Sequence, residues 1–399
     1  MINKHYVSFI RIPLVKTKAG NFFTDELWAK DLLLHLDYLS KFSLCCPIIC
    51  HEKTEELVDI SDYNIKNIYE LKPDGNVLSV LKNIIPNFLV VIRAVKEADI
   101  VHSDCSGWAF PLSFYILFLR PFFSFQWVIV MESSFWMLHK DQVFSYRTFF
   151  EHWVYKLILT KCLKLADARI FTQSYYREVL LKTETDRTLI NPATWIDENS
   201  FTSVEAIKRR YEQRKGKVLE LLFPARLITD KGVNQLLTAT HLLQEQGVYV
   251  NITIIGLGPL AEKCQSYAKQ NYGSVKLMYL SPVKYGEDFF YLLNNYDVVL
   301  VLNLKEEQPR IIFDAFSQGL GILGFNTSGI RDCITPGENA LICESNTALG
   351  LAQAISYLVN HPQECFRMGL NGFYTSQGKT HLQMHKDREV FLKKVLNKG

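Results

Sequence analysis

The chain has 399 residues, with 44 Lys and Arg against 41 Asp and Glu. That length holds two to three domains with sizeable cores, and a formal charge of +3 without any block of like charge argues against a nucleic-acid binder. The nine cysteines show no paired metal-ligand spacing, even where Cys45, Cys46 and Cys50 cluster, and no secretory signal opens the chain, so reduced thiols, a cytoplasmic protein and no metal are expected.

Taken in order, residues 5–13 read as a first strand, Gly20-Asn21 opens a loop, and a helix is expected over 27–40. Residues 98–102 read as a strand that ends at His102. Residues 108–131 are almost wholly apolar and long enough to span a bilayer. Arg120 and Pro121 at their centre make that costly, so a helix, a turn and a buried strand over 127–131 are expected, with Glu132 just after it. Residues 146–165 mix Phe149, Phe150, Trp153 and Tyr155 with Arg147, Lys156, Lys161 and Lys164. That pattern suits a helix packed on a core or one lying on a membrane surface. Further strands fall at 167–174 and 189–192. The polar stretch 198–214 reads as a domain boundary.

In the second half, the strand pattern 218–225 ends at Arg226, and Lys231-Gly232 precedes a helix pattern over 233–243. Arg226 and Lys231 therefore sit on a strand-to-helix loop, at the end of the sheet where open α/β folds bind ligands. Two fixed cations there suit a diphosphate. A strand over 248–255 runs into Gly256-Leu257-Gly258-Pro259 and a helix over 260–270. A lone Gly-x-Gly is weak, and no full glycine fingerprint follows a first strand, which argues against a nicotinamide dehydrogenase. Strands over 296–302 and 321–325 complete an alternation that means a parallel, doubly wound sheet. Between them, Pro309 suits a first helical position. Arg310 and Ile311 then supply the first amides of a helix end that attracts phosphate, and Asp314 follows Arg310 by one turn. Glu306 before the helix, amides at its tip and Asp314 one turn in suit a sugar nucleotide. The same residues also fit a surface Arg310–Asp314 ion pair beside a solvated Glu306-Glu307 loop.

The order Arg226…Lys231-Gly232, Gly256-Leu257-Gly258-Pro259, Asp297-Val298, Glu306…Asp314-Ala315…Gly319 and Gly329-Ile330 resembles the retaining glycosyltransferases of family 4. The resemblance is specific over residues 216–345 and fainter through the first half. It implies the GT-B fold, an α/β architecture of two Rossmann-like doubly wound domains facing a central cleft. The first would cover 1–197 with a terminal crossover helix at 380–399, and the second, nucleotide-sugar-binding domain 215–375. By this resemblance Arg226 and Lys231 hold the donor diphosphate and stabilise the leaving nucleotide. Glu306 is the first carboxylate of the Glu-x7-Glu motif and contacts the donor sugar. Asp314 stands for the second, one methylene shorter, and holds the ribose. Pro309, Arg310 and Ile311 match the segment whose backbone contacts phosphate and sugar, Gly256 and Gly258 belong to the donor side, and Val283 falls where the base meets backbone. Gly20 matches a glycine loop of the first domain. Glu132 replaces a histidine that in many members touches the donor sugar; it suits either a sugar or charge contact or a helix cap. His102 and His139 are lone histidines, more often structural than catalytic.

The expected activity is transfer of a sugar from a nucleotide-diphosphate sugar, with UDP or GDP as the nucleotide, to a saccharide or lipid-linked acceptor. Anomeric retention is implied by the resemblance alone. No cofactor beyond the donor, no nucleic acid, and peripheral contact with the inner face of a membrane complete the expectation. Two other readings share these residues: a non-catalytic partner of an active homologue, favoured by Glu132 and Asp314, and a sugar-nucleotide epimerase on the same fold.

Overall fold

The computed structural model of the chain describes residues 1–52, 54–105, 110–134, 136–138, 145–182, 186–270 and 273–396. It divides into two units, Met1–Asn191 with His385–Gly399, and Pro192–Met384.

The first unit runs through β1 (Ile2–Phe9), β2 (Leu14–Lys16), β3 (Phe22–Thr24), α1 (Glu26–Leu36), β4 (Leu39–Cys50), β5 (Val58–Asp59) and β6 (Ile65–Leu71). It continues with α2 (Val77–Glu97), β7 (Ile100–Asp104), α3 (Leu112–Leu119), β8 (Gln126–Met131), α4 (Tyr146–Leu165), β9 (Ala168–Phe171), α5 (Ser174–Leu180) and β10 (Thr188–Ile190). Its described residues form a ten-stranded sheet in which β1 lies between β4 and β7, with β8, β9 and β10 continuing on the β7 side. Those pairs are parallel, whereas the short β3 pairs antiparallel with β2 and β5. Side chains of a strand alternate between faces, and the sequence uses both. Trp127, Ile129 and Met131 of β8 join one core with α2, α3 and α4, while Val128 and Val130 join another with α1 and the end of the chain. Within the apolar run, residues 112–131 are thus the expected helix, turn and buried strand.

One detail differs from expectation. The helix pattern 27–40 yields α1, which ends at Leu36. Leu39 already pairs with Ile2, because β4 borders β1 and the sheet claims the residues that continued the helical period. Gly20 lies at a hairpin turn between β2 and β3, where its amide bonds the Thr17 carbonyl at 3.0 Å with φ +93°.

The second unit comprises α6 (Val204–Arg214), β11 (Leu219–Pro224), α7 (Val233–Glu245), β12 (Val250–Ile255), α8 (Ala261–Ala268), β13 (Val275–Leu280) and α9 (Glu287–Leu293). It goes on through β14 (Val298–Val301), α10 (Ile311–Ser317), β15 (Gly321–Gly324), α11 (Ser328–Arg331), β16 (Ala340–Ile342), α12 (Ala348–Asn360) and α13 (Pro362–Ser376). The last helix, α14 (His381–Leu396), begins here and ends in the first unit. The described strands form a six-stranded parallel sheet in the order β13-β12-β11-β14-β15-β16. Val298 and Leu300 of β14 face one core and Val299 and Val301 the other. Strands buried on both faces read as continuous apolar runs, as this one does. Strand order reverses between β11 and β14, and doubly wound sheets open a crevice at such a point.

The polar stretch 198–214, read from sequence as a boundary, holds α6, which docks within the second unit. Arg210 bonds Asn294 at 2.7 Å and the carbonyls of Gln318 and Gly319. Arg214 binds Asp297 through Nε at 2.5 Å and Nη2 at 2.9 Å, and Asp297 also accepts the Glu220 amide. Replacing Arg214 by Ala should therefore leave a half-buried carboxylate short of its charged donors and cost about 1.5–3 kcal/mol. Denaturant unfolding measures this; a change below roughly 0.5 kcal/mol, the surface-substitution level, would show the pair to be dispensable.

Candidate functional site

The loops that follow β11 and β14 leave the sheet side by side at the point of reversal, and the sequence shows why they can. Gly232 has φ +77°, and a Cβ there would overlap the Leu302 carbonyl. Only glycine allows that approach at that backbone conformation. Around it the Leu304 amide bonds the Asp230 carbonyl at 2.9 Å, Lys305 pairs with Asp230 at 2.6 Å, and Lys231 pairs with Glu307. Gly256 and Gly258 act in the same way on the other side. Their Cβ positions are taken by the backbone of Ala225 and Leu227, and the Leu227 amide bonds the Leu257 carbonyl at 2.8 Å. The two glycines thus press the turn after β12 against the Arg226 loop.

Three cations converge on this place. Arg226 and Arg310 are exposed, while Lys231 is mostly buried. Burial first, then the charge of Arg226, push the Lys231 ammonium down to about 8; Asp230 opposes this and Arg310 adds to it. Cations close enough to depress one another favour a multiply charged anion. The Arg310 guanidinium lies over the Trp195 ring at 5.4 Å, at the start of the seven-residue α10, whose first amides are those of Arg310 and Ile311. Pro309 is buried just before it.

The two carboxylates of the motif have distinct surroundings. Glu306 accepts the amides of Ser328 at 2.7 Å and Gly329 at 3.3 Å, so it binds the start of α11 from the neighbouring loop. Asp314 is buried and accepts the Tyr285 hydroxyl at 2.8 Å. Burial lifts its carboxyl to about 7 against the opposing pull of Tyr285 and Arg310. The Tyr285 hydroxyl is itself pushed up, by burial and then by Asp314. The solvated loop and surface ion pair that these residues also suited are not what forms. Asp314 is inside, and Arg310 stacks on Trp195.

Four further residues hold the site. Tyr285 packs on Phe289 with centroids 5.6 Å apart, and so fixes the group that faces Asp314. Gln308 exchanges two hydrogen bonds with the Ala193 backbone, at 3.1 and 3.2 Å, which ties the motif loop to the start of the unit. Glu307 and Trp195 hold Lys231 and Arg310. Gln308 and Glu307 lie inside the motif itself; Tyr285 and Trp195 are remote in sequence and carry no local signal. Val283 is 37% exposed on the loop after β13.

In the first unit, Glu132 is exposed directly after β8, and the next described helix, α4, begins after Ser145, whose side chain makes no cap bond. His102 is half-buried and packs edge-on against Tyr6, 5.7 Å between ring centroids, and desolvation pushes it down to about 3. His139 lies outside the described residues. The described residues include one group with metal-ligand proximity, Asp31, His35 and His385, whose atoms lie within 4.8 Å of one another. Here Asp31 pairs with His35 at 3.1 Å and His385 at 3.0 Å, and the contact anchors the end of the chain on α1.

Comparison with known proteins places these features. Residues 204–373 match the family model described as glycosyl transferases group 1. An uncharacterized glycosyltransferase of Haemophilus influenzae is 22% identical over 213 residues, 53% of this chain and 56% of that one. The capsular polysaccharide biosynthesis glycosyltransferase CapM of Staphylococcus aureus is 22% identical over 181 residues, 43% of this chain and 46% of the relative. The chain thus spans about half the length of the curated relatives it matches. Among solved structures, Anabaena Alr3699/HepE in complex with UDP-glucose superposes with a TM-score of 0.64 at 14% identity, over 99% of this chain and 100% of that one. The GT-B fold is therefore that of this chain.

The raised Asp314 carboxyl has a consequence for stability. The folded state keeps its proton to about pH 7 and the unfolded chain loses it near 4. Between those values the folded state binds more protons, so stability falls as pH rises, by at most about 1.4 kcal/mol per unit. Thermal melts should show wild type losing ground to Asp314→Asn from pH 5 to 7, with no further change above that. Tyr285→Phe removes a bond that favours the ionised form and should move the window upward. A wild-type-to-Asn difference that stays constant with pH would refute the assignment.

Proposed function

We propose, from a second unit that belongs to the glycosyl transferases group 1 family over residues 204–373, that this chain is a glycosyltransferase using a nucleotide-diphosphate sugar. The observation that carries the reading is the convergence of Arg226, Lys231 and Arg310 where the strand order reverses. The bond between the sugar C1 and a diphosphate oxygen breaks, an acceptor hydroxyl bonds to C1, and its proton passes to the departing diphosphate. Negative charge grows on that diphosphate as the first bond stretches. Arg226, Lys231 and the Arg310-Ile311 amides are already in place to meet it, so no reorganisation is needed at the moment of reaction. The reading calls for no metal or other cofactor, because side-chain cations supply the charge. Glu306, held by the α11 amides, orients the donor sugar. Asp314 and the Tyr285 hydroxyl beside it hold the ribose. Together they reach further than an aspartate alone, which offsets the methylene missing from the motif.

The UDP-glucose in the Anabaena structure supports a UDP-sugar as the first donor to test, and the role printed for the Staphylococcus relative supports polysaccharide or glycoconjugate biosynthesis. The acceptor is then a saccharide or lipid-linked saccharide, met in the cytoplasm at the inner face of the membrane. Retention of configuration rests on the family resemblance.

Calorimetric titration with UDP, GDP and ADP should show one nucleotide binding to wild type and none to Asp314→Ala. Failure of all three to bind well-folded protein would overturn the reading in favour of a non-catalytic partner. Lys231→Ala should keep the wild-type fold and lose about 10²–10³ in donor turnover; near-normal turnover would remove Lys231 from the chemistry.

A further inference from the structure

The second unit holds a cavity that the donor-site reading does not use. It measures about 360 Å³ and lies among α6, α12, α13 and the amino ends of the sheet strands. Leu219 opens β11, Asp297 directly precedes β14 and Gly319 comes just before β15, and all three line the cavity. The loops that bear Arg226 and Glu306 leave the opposite ends of β11 and β14. A strand of six residues rises about 3.3 Å per residue, which puts the cavity roughly 20 Å from those loops. Ile207, Leu219 and Cys365 are buried and give it apolar wall. Tyr211 of α6 stacks on Phe366 of α13, with 4.4 Å between ring centroids, and both rings border the space. Val218, 43% exposed, stands at its mouth.

The charge of the lining decides what it can take. Its cations are Arg210, Arg214, Lys215 and Lys217, and Asp297 is the one carboxylate among the described lining residues. Asp297 is already engaged by Arg214 and the Glu220 amide. The bonds of Arg210 go to neutral acceptors, the Asn294 side chain and the Gln318 and Gly319 carbonyls, so its charge has no carboxylate of its own. Burial pulls that guanidinium down to about 10; Asp297 opposes this and Arg214 adds to it. Lys215 and Lys217 are exposed on the turn between α6 and β11, and neither forms an ion pair with a described residue. Cations gathered at an apolar space, with their one acid engaged, favour an anion. The same lining argues against a sugar or a nucleobase. Such groups are read by side chains that both donate and accept. The described lining residues include no amide or imidazole side chain and no serine or threonine.

We propose that this cavity is a second small-molecule site, for an organic anion that carries one phosphate or carboxylate on a flat apolar body. The body packs against the Tyr211–Phe366 pair and the buried apolar wall. The anionic group meets Lys215 and Lys217 at the mouth, with Arg210 behind them. The site is separate from the donor crevice and does not depend on how that crevice is read. The test is a fluorine NMR titration of the full chain with para-fluorophenyl phosphate, para-fluorobenzoate and the neutral para-fluorophenol. At least one of the anions should bind saturably and about ten-fold or more tighter than the phenol, and the tighter of the two identifies the anionic group. Excess UDP should leave it bound. Lys215→Glu/Lys217→Glu, at exposed positions outside the core, should weaken binding about ten-fold or more with an unchanged melting curve. Phe366→Leu keeps an apolar side chain and removes the ring, and should weaken it about three- to ten-fold. The proposal is overturned if neither anion binds saturably, if the phenol binds as well as the anions, or if UDP displaces them. Binding indifferent to both variants would overturn it as well.

Discussion

Gly232 has no side chain because the Leu302 carbonyl occupies the space one would need. The consequences spread outward from that contact. It lets the loop after β11 lie against the loop after β14, which puts Lys231 beside Glu307 and Asp230 beside Lys305. Gly256 and Gly258 seat a third loop against Arg226 under the same constraint. A doubly wound sheet provides the crevice where its strand order reverses. What turns a crevice into a charged, shaped site is backbone packed so closely that only glycine fits at the seams.

The electrostatics follow from that closeness. Desolvated cations cost several kcal/mol each when unpaired. Glu307 and Asp230 neutralise two lysines at the crevice, and Trp195 offers its ring face to Arg310. A diphosphate brings more negative charge than one carboxylate, so it can compete for Lys231 and draw on Arg226 and Arg310 together. Asp314 is managed in the opposite way. Burial keeps its carboxyl largely neutral up to about pH 7, so the site does not present a second full negative charge to an incoming phosphate. In either protonation state an Asp–Tyr pair can serve ribose hydroxyls, which both donate and accept.

The parts of this arrangement that could be read from the sequence are local ones. A strand, a cation five residues ahead of Lys-Gly, a Gly-x-Gly turn and a carboxylate on each side of a helix start are visible because each occupies one short segment. Tyr285 and Asp314 meet across 29 positions, and Glu306 finds the Ser328 amide across 22. No periodicity reports such encounters, which depend on sheet order. The same limit explains 198–214, where polarity suggested a boundary and the structure has α6. Its arginines satisfy carbonyls and a carboxylate on other elements, partners that local polarity does not reveal. At 27–40 a helical period ran on into residues that β1 claims by pairing. Gly20 is a glycine whose φ a hairpin turn accounts for.

The distribution of exposed apolar residues separates the two units. In the second, Tyr249, Leu257, Tyr291, Leu349 and Tyr357 stand on different elements or singly, as is ordinary on a protein surface. Its long apolar helices, α7 and α12, pack against each other and onto the sheet. In the first unit, helices of 21 and 20 residues bury one face and still hold large side chains at regular spacing on the other. Burial in the fold accounts for the inner stripe only. A soluble surface gains nothing from the outer one, and contiguous apolar patches of that kind mark interaction sites.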